Sequence, residues 1–259
     1  MKKGIYILPS LLTCGSISSG YLSIISSLDG EFSKAAWFIV LAVAFDMTDG
    51  RVARLTRTTS EFGVQLDSLA DLISFGLAPS IMMYQLVLST MGKLGIAVAI
   101  LFVLCSALRL AKFNVNARGG IVHSSFMGLP TPASAGLLVS FVLSYELLDL
   151  GQSLSFKTIP ILMKSMPLFF KIMPVVIVVL SLLMVSNIPY YSFKKMKLSR
   201  PKTFRLFVLV VLLLFLIITF PQNIIFVLFS LYIVSGLIGI GVRYYNAHKK
   251  KNIGVGNGD

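Results

Sequence analysis

Hydrophobic residues occupy long blocks of this chain, and polar residues return between them at nearly regular intervals. A helix crosses the apolar core of a bilayer with about 20 such residues. Blocks near that length lie at about 5–28, 35–50, 66–89, 95–114, 132–148, 167–187, 204–220 and 223–243. They predict an all-α integral membrane protein, a polytopic bundle of about eight transmembrane helices. The second block is short because polar residues take over its end.

Composition supports the same class. Of 259 residues, 56% are hydrophobic and 13% charged, and the mean hydropathy is +0.87; soluble domains carry about 25% charged residues. A net charge of +13 would suit nucleic-acid binding, but the positions of the basic residues argue against it. With a cytoplasmic amino terminus, the inside segments hold Lys2 and Lys3, Arg51 to Arg57, Arg109 to Arg118, Lys194 to Arg205, and Arg243 to Lys251, which is 18 of the 23 basic residues. The outside segments hold only Lys34, Lys93, Lys157, Lys164 and Lys171. This is the positive-inside pattern, and it puts both termini on the cytoplasmic face of the inner membrane. Basic loops also attract anionic lipid, although topology alone accounts for them.

Lys2 and Lys3 precede an apolar stretch too long for a signal peptide and interrupted by Pro9, Ser10 and Thr13, so it is read as a retained first helix. Cys14 and Cys105 lack metal-ligand spacing and read as buried small residues. Residues 149–166, with Pro160 and Pro167 nearby, predict an external loop or interfacial segment. The expected division is a polar-featured core over 1–190, two aliphatic helices within 191–245 without a charged residue between Arg205 and Arg243, and a disordered tail over 246–259.

Candidate chemistry is concentrated in one run: Asp46, Asp49, Gly50, Ala53, Arg54, eight residues, then Gly63, Asp67 and Asp71. On helices, Asp46 and Asp49 lie about 60° apart and Asp67 and Asp71 about 40° apart, so each pair shares a face. If the second and third spans are antiparallel and joined by Arg51–Gln65, the two pairs face each other near the cytoplasmic surface. Four converging carboxylates repel one another, and hard divalent cations with oxygen ligands, Mg²⁺ or Mn²⁺, relieve that repulsion. The bland alternative is a set of ordinary aspartates neutralised by Arg51, Arg54 and Arg57.

The neighbouring residues suit a phosphate. Gly50, Ala53 and Gly63 permit close approach, while Arg54 and Ser60 can donate hydrogen bonds. Metals on a pyrophosphate and a spare carboxylate acting on a hydroxyl describe phosphoryl transfer to an alcohol at a membrane surface.

The run D-x₂-D-G-x₂-A-R-x₈-G-x₃-D-x₃-D, Asp46 to Asp71, resembles the signature of the CDP-alcohol phosphatidyltransferases at all eight fixed positions. The resemblance implies a six-helix membrane core, usually a homodimer, that transfers a substituted phosphate from a CDP-linked donor to an alcohol and releases CMP. It further implies that Asp46, Asp49, Asp67 and Asp71 surround the metals, that Asp71 is the general base, and that Gly50, Arg54, Ser60 and Gly63 line the CDP pocket.

Three other stretches resemble the phosphatidylserine synthase branch: Ser74–Pro79, Arg109–Asn114 and Phe126–Pro132. That likeness implies CDP-diacylglycerol as donor and L-serine as acceptor. Arg109, Lys112 and Asn114 fall at the cytoplasmic end of the fourth span, level with the acids, where they could hold an amino-acid carboxylate; positive-inside anchoring is the other reading. Pro130 and Pro132 need be no more than helix-boundary residues, and His123 reads as exposed or structural. Pro9-Ser10 with Thr13 stands where the family usually has Pro-Asn and a threonine, and Ser16 stands where serine synthases often carry Asn. Rival readings are the same chemistry on glycerol 3-phosphate or an inositol phosphate, a cation-coupled transporter using the aspartates as an ion site, and a catalytically dead homologue.

Overall fold

The structure is a computed structural model that describes residues 7–56, 60–118, 126–146, 168–186 and 188–190. Its first helix, α1 (Ile7–Leu28), carries hydroxyls at helical spacing, and Thr13, Ser16, Ser19, Ser23, Ser26 and Ser27 are all buried. They face α2 (Phe32–Leu55), whose Ala35, Ala36 and Ala42 are also buried. Small residues on both helices let the backbones approach closely. Several hydroxyls are satisfied within α1 itself, as where Ser19 and Ser27 donate to the carbonyls of Gly15 and Ser23. The chain reverses at Asp29–Gly30, where the N–H groups of Gly30 and Glu31 bond the Ser27 and Ser26 carbonyls in a Schellman closure.

The expected second span, 35–50, underestimates α2, which runs unbroken through the polar motif to Leu55. Arg51, Ala53, Arg54 and Leu55 are good helix formers, and the Thr56 N–H closes the last turn on the Val52 carbonyl at 2.9 Å. The link between the two acidic pairs is therefore far shorter than Arg51–Gln65, because Ser60 already caps the next helix.

That helix is α3 (Glu61–Asp71), which passes through a π-helical turn (Leu72–Leu77) into α4 (Ala78–Leu86). The turn has two local causes. Pro79 has no N–H to offer the carbonyl four residues earlier. Gly20 of α1 also presses on the turn, since a Cβ there would lie 2.7 Å from Ser74 Oγ and 2.9 Å from Ser74 Cα. Ser74 is buried and its hydroxyl donates to the Ser16 carbonyl at 2.9 Å.

A short 3₁₀ turn (Leu88–Met91) leads to α5 (Lys93–Arg118), followed by α6 (Thr131–Glu146) and α7 (Leu168–Val185). Phe75, Met82, Phe102, Phe141 and Ile177 form the centre of the apolar core among these helices. Phe126–Met127 pairs antiparallel with Pro189–Tyr190, tying the segment before α6 to the end of α7.

The architecture is that of a helical polytopic membrane protein. Among the described residues, Leu8–Leu28, Glu61–Leu86 and Lys93–Asn116 are long and apolar enough to cross a bilayer, and Thr131–Ser144 and Lys171–Val185 are shorter apolar helices. The 24-residue α2 has the length but carries Lys34, Asp46, Asp49, Arg51 and Arg54. The expected spans 204–220 and 223–243, the segment 149–166 and the tail lie outside the described residues.

Candidate active site

Helix α2 presents Asp46 and Asp49 near its end, and α3 presents Asp67 six residues after its start. Carboxylate oxygens of Asp46, Asp49 and Asp67 all lie within 4.8 Å of one another. Asp71, expected as a fourth ligand, falls outside this grouping, although its charge acts on Asp46, Asp67 and Asp49. Asp49 is buried at 5% exposure, and the Thr13 hydroxyl donates to its Oδ2 at 2.7 Å.

The arginines of the motif do not neutralise this group. Among the described residues the only ion pair is Lys34 with Glu31, far along the chain from the acids, and neither Arg51 nor Arg54 pairs with them. Three clustered carboxylates with no cationic side chain in contact are a hard, all-oxygen donor set, and they fit a divalent cation.

A cavity of about 180 Å³ opens beside the acids. Pro9, Ser10 and Thr13 of α1 form one wall, Asp49, Gly50, Ala53 and Arg54 of α2 a second, and Ser60, Gly63, Val64 and Asp67 the third. All four residues expected to contact the CDP group, Gly50, Arg54, Ser60 and Gly63, therefore meet at one cavity. Its volume is below the roughly 300–1,000 Å³ of pockets that enclose a whole drug-sized ligand, so it suits part of a ligand and leaves the rest outside.

Ser60 has a structural duty as well. Its oxygen accepts the Gly63 N–H at 3.0 Å as the N-cap of α3, which leaves the hydroxyl proton available to a ligand. A Cβ at Gly63 would sit 3.2 Å from that oxygen, so the glycine keeps the cap compact. Arg54 is exposed at the cavity edge.

Arg109, Lys112 and Asn114 do not line this cavity. Arg109 acts electrostatically on Asp71, and its Nη1 donates to Thr131 Oγ1 at 3.0 Å. Asn114 Nδ2 donates to Ser68 Oγ at 2.9 Å, which ties α5 to α3 one residue from Asp67. The Lys112 side chain is exposed. Ser74–Pro79, expected from the branch resemblance to bear on the acceptor, forms the π turn and the start of α4; Ser74, Phe75 and Gly76 are buried in packing.

Thr131 and Ser68 carried no sequence signal of a role. Thr131 reads as an ordinary residue at a proline-flanked helix start, and its partner is 22 positions away. Thr13 had a readable signal, a threonine in a stripe of small hydroxyl residues along an apolar helix, but nothing in the sequence named Asp49 as its partner.

Comparison with known proteins agrees with this site. The family model described as CDP-alcohol phosphatidyltransferase matches residues 6–166. A Helicobacter pylori protein named CDP-diacylglycerol–serine O-phosphatidyltransferase is 39% identical over 237 residues, covering 90% of this chain and 91% of that protein. A Bacillus subtilis protein of the same name is 34% identical over 188 residues, 73% of this chain and 92% of the relative. An archaetidylserine synthase of Methanothermobacter thermautotrophicus is 42% identical over 160 residues, 61% of this chain and 67% of that protein. With the family model covering more than half its length and the aspartate run gathered as described, this chain belongs to the CDP-alcohol phosphatidyltransferase family.

Proposed function

We propose that the chain is a divalent-metal-dependent CDP-diacylglycerol–serine O-phosphatidyltransferase, which moves the phosphatidyl group of CDP-diacylglycerol to the hydroxyl of L-serine and forms phosphatidylserine and CMP. The observation that carries this reading is the grouping of Asp46, Asp49 and Asp67 against a cavity walled by Gly50, Arg54, Ser60 and Gly63. It sets a cation-binding cluster beside a place for a pyrophosphate. The choice of serine is supported by relatives that bear that name over most of their length.

In this mechanism Arg54, the Ser60 hydroxyl and the open backbone at Gly50 and Gly63 hold the CDP group. Asp71 takes the proton of the serine hydroxyl, and the serine oxygen attacks the phosphorus that bears diacylglycerol. The bond from that phosphorus to the bridging oxygen breaks, and its electron pair leaves on CMP. Mg²⁺ or Mn²⁺ held by Asp46, Asp49 and Asp67, with Asp71 beside them, would neutralise charge on the diphosphate and on the departing phosphate. Arg109 binds the serine carboxylate, with Lys112 and Asn114 contributing charge and support at the same helix end.

The enzyme is further proposed to sit in the cytoplasmic membrane with its site and both termini facing the cytoplasm, on the asymmetry of its basic residues. The division at about residues 190 and 245 and the homodimer are proposed on the family resemblance; no nucleic-acid partner is proposed.

The test is CMP release by purified protein supplied with CDP-diacylglycerol, with Mn²⁺ or Mg²⁺, and with serine, glycerol 3-phosphate or an inositol phosphate as acceptor. Serine alone should release CMP in step with phosphatidylserine. CMP release only with another acceptor overturns serine, and none with any acceptor overturns the enzyme class.

A further inference from the structure

The segment Phe126–Pro132 lines no part of the cavity, yet the chain is held firmly there. The Gly128 N–H bonds the Ile188 carbonyl at 2.8 Å and the Leu129 N–H bonds the Leu183 carbonyl at 3.0 Å. Gly128 adopts φ +82°, and a Cβ there would collide with the Met184 carbonyl oxygen. The pairing of Phe126 opposite Tyr190 and Met127 opposite Pro189 completes a clasp between the entrance to α6 and the end of α7. Just past the clasp, the Pro130 carbonyl accepts the N–H groups of Ala133 and Ser134, both at 3.1 Å, which fixes the first turn of α6.

Thr131 lies at that fixed point, at 0% exposure, and its hydroxyl accepts Arg109 Nη1 at 3.0 Å. We infer that Thr131 is a positioning residue for Arg109: the clasp on α7 sets Thr131, and Thr131 aims the guanidinium at the acceptor beside Asp71.

The chemistry of the pair suits that task. A guanidinium is a planar fork of five donors, so one fixed bond orients the whole group. A carboxylate partner would also orient it but would spend its charge. A neutral hydroxyl orients it and leaves the full positive charge for an anionic group of the substrate. Nη1 is committed to Thr131, and the remaining donors belong to a group already in the field of Asp71, the proposed base. The inference rests on the reading of Arg109 as the contact for the acceptor carboxylate.

Steady-state kinetics of the full chain with CDP-diacylglycerol, Mn²⁺ and serine test it. Thr131→Val removes the hydroxyl at nearly constant volume and should raise the serine KM roughly tenfold, as loss of one bond to a charged group implies. The KM for CDP-diacylglycerol and kcat should stay within about twofold, and Thr131→Ser should restore most of the serine affinity. Arg109→Gln should raise the serine KM further, and Thr131→Val added to it should cost nothing more, since the two act through one group.

An unchanged serine KM in Thr131→Val, beside a raised one in Arg109→Gln, overturns the positioning role and leaves Arg109 as the carboxylate contact. An unchanged serine KM in Arg109→Gln overturns that contact and the inference with it. Equal loss in Thr131→Val and Thr131→Ser, or a parallel loss of donor KM and kcat, makes Thr131 structural only and overturns the inference. If Thr131→Val does not fold, Thr131→Ala is judged on the same criteria, and additive effects in its combination with Arg109→Gln overturn the inference.

Discussion

Thr13 Oγ1 lies 2.7 Å from Asp49 Oδ2, a contact that spans 36 residues and joins the first helix to the acidic cluster. Both residues are 5% exposed. A hydroxyl donating to one carboxylate oxygen fixes how the group presents its other oxygen, the kind of outer support that commonly alters metal affinity by about 10–100-fold when it is removed. Thr13→Val should therefore weaken Mn²⁺ binding by roughly tenfold, and Thr13→Ser should restore most of it. Free Mn²⁺ measured by electron paramagnetic resonance reads this without reference to turnover; equal affinity in all three proteins would count against the role.

Metal removal should stop the reaction and loosen the protein. Asp46, Asp49 and Asp67 stand within 4.8 Å of one another without an ion pair from Arg51 or Arg54. Chelation should abolish CMP release, and Mg²⁺ or Mn²⁺ should restore it. A ligand at 100 times its dissociation constant stabilises the form that binds it by about 2.7 kcal/mol, so Mn²⁺ should raise the melting temperature. Asp67→Asn should lose both the activity and most of that thermal shift.

Asp71 tests the proposed proton transfer. Asp71→Asn removes a base but keeps the shape, and general-base catalysis contributes about 10²–10⁴-fold. The expected result is a fall in kcat of that order with a nearly unchanged KM for CDP-diacylglycerol. A silent substitution would remove Asp71 from the mechanism.

Gly20 is the point where α1 meets the π turn. A methyl group there would fall 2.7 Å from Ser74 Oγ and 2.9 Å from Ser74 Cα, so backbone must move to admit it. Overpacking of this kind costs about 1–3 kcal/mol. Gly20→Ala should lower the melting temperature of the purified protein by several degrees, and Gly20→Val should lower it more; an unchanged melting temperature in both would show that the contact gives way easily.

Asn114 probes the link between α5 and the acidic helix. Its amide donates to Ser68 Oγ, adjacent to Asp67, and Ser68 in turn donates to the Val64 carbonyl at 3.0 Å. Asn114→Ala should reduce activity severalfold through misplacement of Asp67, with a matching loss of Mn²⁺ affinity in the titration used for Thr13. A loss confined to the serine KM would instead make Asn114 a direct acceptor contact.

The spacing of Asp46, Asp49, Asp67 and Asp71 made the cluster legible in the sequence, because positions three and four apart on a helix share a face whatever packs against it. Gly50, Arg54, Ser60 and Gly63 were legible for the same reason, and they do meet at one cavity. The extent of α2 was not: polar residues end a hydropathic block, but they do not end a helix whose backbone bonds are satisfied within it. The stretches tied to the acceptor were legible as motifs and not as structures. Ser74–Pro79 became a buried π turn, and Phe126–Pro132 became a clasp on the end of α7.

By itself the sequence determined the membrane class, the helical blocks that the structure describes, and an acidic, glycine-bearing run suited to metal and phosphate. These follow from local composition and from the fixed 3.6-residue period of a helix. Only the tertiary structure decided that three of the four aspartates form the tight group, that Thr13 holds Asp49, and that Arg109 is aimed by Thr131. Those relationships join residues 18 to 36 positions apart on different helices. They depend on how small residues such as Gly20, Ala35 and Ala36 let the helices approach, and no periodicity along one chain segment encodes that distance.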